Sequence, residues 1–100
     1  MNKLKQKRIP KVIKILHWIY RHSINSEKVT NLQANQQWET SASSAYISDL
    51  GIDYGLFISR EKVTNENTGA TYKRYWLSPS EFEKALRLLN SYGIEQGAND

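Results

Sequence analysis

Few side chains in this 100-residue sequence have the type and spacing for covalent or metal chemistry. Cysteine is absent, which removes disulfides, thiolate metal sites and thiol nucleophiles together. His17 and His22 stand five apart rather than the three or four that place two ligands on one helix face, and no nearby carboxylate completes a metal set. Glu81 and Glu83 follow Ser78-Pro79, where the positive end of a helix favours acids without any catalytic pairing. No phosphate-cradling glycine loop and no nucleophile motif occurs. These residues point away from an enzyme, and no cofactor or metal is expected.

The remaining chemistry is that of charge. Residues 1–22 hold Lys3, Lys5, Lys7, Arg8, Lys11, Lys14 and Arg21 and no acid, whereas residues 23–100 set seven bases against ten acids. Clustered bases concentrate phosphate ligands, so a basic arm on a mildly acidic body suggests a polyanionic partner. The start, Met1-Asn2-Lys3-Leu4-Lys5, has the look of an export signal, but Lys11 and Lys14 interrupt the apolar stretch that such a signal needs. No apolar run approaches the roughly 18 residues that span a bilayer. A cytoplasmic protein without a membrane partner is expected.

A chain of this length supports one hydrophobic core, and its three Trp and six Tyr supply the bulk that a small fold without disulfides requires. Apolar residues at helical spacing predict helix one from Pro10 to about Arg21, with a stripe of Ile9, Val12, Ile13, Leu16, Ile19 and Tyr20 and with Trp18 on the other side. Helix two is predicted over Glu27 to Gln37 on Val29, Leu32 and Ala34. Helix three follows the capping oxygens of Glu39-Thr40-Ser41, buries Ala42, Ala45, Ile47 and Leu50, and ends at Gly51 or Gly55. The pattern then changes to that of a β-hairpin over residues 56–77 with a turn at Asn65-Glu66-Asn67-Thr68-Gly69. Ser78-Pro79-Ser80-Glu81 reads as a capping box opening helix four, with Phe82, Ala85, Leu86 and Leu89 inward and Gly93 as its stop.

Within this order, Ala45-Tyr46-Ile47-Ser48-Asp49-Leu50, then Gly55, Ile58 and Tyr75-Trp76-Leu77, resembles winged helix-turn-helix domains common in bacteriophage and prophage genes. The resemblance spans about residues 12–78. It implies an α+β fold with a three-helix bundle, a β-hairpin wing and a C-terminal helix. It also implies that helix three enters the major groove of double-stranded DNA while the wing lies on the backbone or minor groove. The expected organisation is a basic arm at residues 1–9, a winged-helix domain at 10–94 and a frayed tail at 95–100.

One departure shapes the candidate site. No Lys or Arg lies between Val29 and Ser59, so helix three offers Ser41, Ser43, Ser44, Tyr46 and Ser48, flanked by Asp49 and Asp53. Hydroxyls can bond phosphates or base edges but release no counterions. Electrostatic affinity is therefore expected from the arm (Lys3, Lys5, Lys7, Arg8) and from the wing bases Arg60, Lys62, Lys73 and Arg74. By the period of two, Arg60 and Lys62 share one face, as do Tyr72, Arg74 and Trp76. Leu88 and Tyr92, partly off the helix-four stripe, suggest a homodimer through that helix. The competing expectation is a winged-helix protein-interaction module without DNA binding.

Overall fold

The computed structural model describes residues 9–94; the basic residues Lys3, Lys5, Lys7 and Arg8 and the tail at 95–100 lie outside them. The chain folds as α1 (Lys11–Ile24), β1 (Val29–Thr30), α2 (Asn31–Gln37), α3 (Ser43–Tyr54), β2 (Ser59–Thr64), β3 (Thr71–Trp76) and α4 (Phe82–Ser91). This is an α+β domain of four helices and a three-stranded antiparallel sheet in the order β1-β3-β2.

Helix α1 is the hub, because it meets α3, α4 and β3. Three neighbours demand a wide apolar face, so Ile13, Ile15, Leu16, Ile19 and Tyr20 are all buried, while Ile9 and Val12 pack only partly. Ile15 was absent from the expected stripe, which assumed a single contact direction. Trp18, expected on the outer side, is partly buried because the end of α2 reaches over it, with the Trp38 and Trp18 rings edge to face at 6.4 Å.

The expected second helix is two elements. Val29 pairs with Tyr75 and Thr30 with Arg74 across the sheet. Thr30 then ends the strand and caps α2. Its Oγ1 accepts the Gln33 N–H at 3.0 Å, and Gln33 Oε1 accepts the Thr30 N–H at 2.8 Å. Such a reciprocal cap fixes a helix start at Asn31 and leaves the β-branched pair before it free to join a sheet. Leu32, counted toward the core, is 60% exposed, whereas Val29 and Ala34 are buried.

Helix α3 buries Ile47 and Leu50 as expected, but Ser43 joins them in place of the two alanines. Ala42 and Ala45 are exposed. Gly55, at φ 69°, ends the helix as expected, with Gly55 N–H donating to Gly51 O and Leu56 N–H to Leu50 O. The hairpin is present as read: Asn65 Oδ1 accepts the N–H groups of Asn67 and Thr68 at its tip, where Gly69 takes φ 76°.

The capping box at Ser78 is not formed. Pro79–Glu81 make a 3-10 turn with no side-chain cap. Glu81 instead accepts the Phe57 N–H at 3.1 Å, and Lys84 Nζ donates to Gly55 O at 2.9 Å, so both side chains tie α4 to the loop behind α3. Phe82, Leu86, Leu88 and Tyr92 all pack partly against the core, with Ala85 and Leu89 fully buried.

A buried hydrogen bond joins α1 to the sheet: the Leu77 N–H donates to Ser23 Oγ at 2.9 Å. Ser23→Ala leaves that N–H without an acceptor, and such a loss costs about 1–3 kcal/mol. Urea unfolding should show a lower midpoint of that size with an unchanged slope.

Candidate functional site

The exposed side of α3 carries Ser44 and Ser48, with Ser41 just before it. Ser43 is a correction to the expected set. It is 3% exposed and faces inward, and its N–H donates to Asn35 Oδ1 at 3.3 Å. Helical spacing explains this, since a residue four before the buried Ile47 shares its face. Tyr46 is half-buried, with Lys11 Nζ 5.8 Å from its ring centre. A base from α1 thus stands beside the helix that has none of its own.

Register divides the hairpin's charge between two faces, because residues directly opposite in an antiparallel pair share a face. Arg60 opposes Tyr75 and Lys62 opposes Lys73, while Glu61 opposes Arg74 and Val63 opposes Tyr72. The face holding Tyr75 and Val29, both buried, is turned to the helices, and its hairpin bases are Arg60, Lys62 and Lys73 with no acid. Arg74 lies on the opposite face, its Nε 3.4 Å from Glu61 Oε2, with Lys28 Nζ 3.7 Å from the same oxygen and 4.1 Å from the centre of the Trp76 ring. The four wing bases expected to act together are therefore three and one. Arg74 is spent on its neighbours.

Between α2, the start of α3 and the hairpin runs a groove of about 180 Å³. Asn31, Asn35, Ser41, Ser44, Lys62 and Lys73 line it, and Tyr75 forms part of its wall. Asn31 and Asn35, four apart on α2, tie this helix to the other two walls. Lys73 N–H donates to Asn31 Oδ1 at 2.8 Å and Ser43 N–H to Asn35 Oδ1. The Tyr75 hydroxyl is buried with no hydrogen-bond partner among the described residues. Burial raises its ionisation above the ordinary range and the nearby Arg60 guanidinium partly offsets this, so at neutral pH the group is an uncharged donor.

No family model, no curated protein and no solved structure matches the chain. Among the described residues no group of His, Cys, Asp and Glu could hold a metal ion, and His22 Nδ1 lies 2.7 Å from Glu27 Oε1 in a local pair. No helix of the described residues is long and apolar enough to cross a membrane.

Asn31, Asn35, Tyr75 and Lys11 were not anticipated. A signal for the asparagines exists, since Thr30-x-x-Gln33 marks a helix start at Asn31 and puts both on one face. Nothing local marks Tyr75 or Lys11, whose placement depends on strand register and helix packing.

Lys62 and Lys73 are directly opposed like charges, and neither pairs with a carboxylate among the described residues. Opposed like charges destabilise a strand pair and opposite charges stabilise it by roughly 0.2–1 kcal/mol. Lys73→Glu is expected to raise the denaturation midpoint accordingly, measured by urea titration. A second expectation concerns pH. Tyr75 is raised by burial, and Tyr54 by its hydrogen bond with Tyr92 and then by burial. A raised phenol favours the folded state fully below the unfolded value of about 10 and loses that contribution as pH climbs beyond it. Thermal melts should fall above about pH 10, and less steeply in Tyr75→Phe.

Proposed function

We propose that this chain is a winged-helix domain that binds double-stranded DNA, acting as a regulatory or accessory protein of a phage or other mobile element. The observation that carries the reading is the convergence of Ser44 on α3 and of Lys62 and Lys73 on the hairpin around one acid-free groove. The element order and the sheet order β1-β3-β2 support it, since they set a hairpin beside the start of α3 as a wing stands beside a recognition helix. Ser44 and Ser48 face the bases of the major groove in this reading, Lys62, Lys73 and Arg60 meet the backbone, and Lys11 supplies a charge next to Tyr46. The arm with Lys3, Lys5, Lys7 and Arg8 adds phosphate contacts of its own.

A second reading, a protein-interaction module, draws on one observation. Ile52 at the end of α3 is 79% exposed and Phe57 just beyond it is 67% exposed. Exposed aromatic and aliphatic side chains of this size serve as anchors at protein interfaces. Homodimerisation through α4 belongs to the proposals as well, although Leu88 and Tyr92 give part of their surface to the core.

Binding of mixed duplex DNA measured over a salt series decides between the readings. A phosphate-binding protein loses affinity linearly in log salt, with a slope of about 0.9 per phosphate neutralised. Removal of residues 1–8, or Lys62→Ala with Lys73→Ala, should each flatten that slope, by about one unit per lost contact. Arg74→Ala should leave it unchanged, and Ser44→Ala should alter sequence preference. Salt-independent or undetectable binding by the parent chain sinks the DNA reading.

A further inference from the structure

The groove beside α3 is lined by ammonium, carboxamide and hydroxyl groups and by no carboxylate. The Lys73 and Ser43 backbone N–H groups can only donate, so the carbonyl oxygens of Asn31 and Asn35 are turned to them, which leaves the carboxamide N–H groups as the unspent ends of both side chains. Lys62 and Lys73 add two ammonium groups held opposite each other by strand register. The Ser44 N–H, in the first turn of a 12-residue helix whose N-cap is Ala42, has no acceptor among the described residues, because alanine has no side-chain oxygen to offer. Tyr75, 1% exposed, is part of the groove wall, and its hydroxyl is buried with no partner among the described residues.

None of the lining residues is acidic, which disfavours a cation. The volume of about 180 Å³ is below the roughly 300–1,000 Å³ of pockets that enclose drug-sized molecules. What suits such a space is a small anion with several oxygens. We propose that the groove binds a single phosphate group, and that the phosphate is a phosphodiester of the nucleic-acid backbone. The source of the phosphate rests on the DNA reading above; the oxyanion chemistry stands on the groove alone. A phosphate between Lys62 and Lys73 screens their mutual repulsion, takes the Ser44 N–H at the positive helix end and, with a small shift of the groove wall that uncovers it, supplies the acceptor that the buried Tyr75 hydroxyl lacks. That hydroxyl stays protonated, and able to donate, throughout the neutral range.

The test uses the full chain, with backbone amide spectra recorded during titration with inorganic phosphate at constant ionic strength and acetate as a planar control. Phosphate should shift the Ser43, Ser44, Lys73 and Tyr75 amides saturably, and acetate should not. Tyr75→Phe should weaken phosphate binding roughly tenfold, the equivalent of one hydrogen bond to a charged group, without lowering the melting midpoint, because the hydroxyl it removes is unpaired. Lys73→Glu should fold at least as well as the parent and bind no phosphate. Shifts that never saturate, that spread over every basic surface, or that acetate reproduces overturn the site. Duplex DNA separates the two claims. If DNA binds the parent and Tyr75→Phe alike while phosphate leaves the groove amides unmoved, the groove site is refuted and the DNA reading survives. If phosphate saturates the groove but duplex DNA binds at no salt concentration, the backbone phosphodiester is overturned as the source.

Discussion

The pairing of a two-residue strand, Val29–Thr30, with β3 near the open end of the hairpin is the constraint on which the arrangement depends. Without it β2 and β3 would be a two-stranded ribbon, marginal in water and free to lie at any angle to the helices. The pairing is longer than its strand. Asn31 continues it by accepting the Lys73 N–H through its side chain, where the backbone has already turned into α2. Ser23 extends the anchoring at the other end by accepting from Leu77, so three separate attachments hold β3 and the residue after it against the helical layer. Tyr75 is buried as a consequence, and Lys62 and Lys73 are carried to the start of α3.

The magnitudes separate what stabilises from what selects. Burial of Ile13, Ile15, Leu16, Ile47 and Leu50 is the large term, at roughly 1.5–3 kcal/mol for each such side chain. The pairs of Glu61 with Lys28 and Arg74 join side chains about 40% exposed and are worth little to stability. Lys62 opposite Lys73 works against the fold. A protein that keeps an opposed lysine pair, an uncapped helix start and an orphaned hydroxyl in one place has accumulated small costs there. Functional sites commonly hold such local conflicts while the rest of the fold agrees with itself.

Much of the scaffold was legible along the chain. Periodicity located α1 and α4, the Asn65–Gly69 turn located the hairpin, and Gly55 and Gly93 marked helix ends where positive φ is required. Two misreadings were local. Val29 and Thr30 were absorbed into a helix because a two-residue strand has no periodicity of its own, and Ala42 and Ala45 were counted toward the buried stripe of α3 that Ser43 shares with Ile47 and Leu50. The candidate site was less legible, for a different reason. Hairpin periodicity already put Arg74 apart from Arg60 and Lys62, but which face turns inward is decided by Tyr75 packing on the helices and by the partner strand, both distant in sequence. The donor character of the groove depends on which ends of Asn31 and Asn35 are consumed, and no residue pattern encodes that.

Glu61 has a consequence beyond its own ion pairs. By offsetting Arg74 on the outer side of the hairpin while Arg60, Lys62 and Lys73 stand without a carboxylate on the inner side, it makes the hairpin electrically two-sided. In the field of a polyanion such a body experiences a torque as well as an attraction, and it rotates its inner side forward while still about a Debye length away. Orientation is then selected during approach. If the chain binds DNA as proposed, fewer collisions arrive backwards, and a single carboxylate on the far side of the sheet shapes the rate of productive encounter without touching what is encountered.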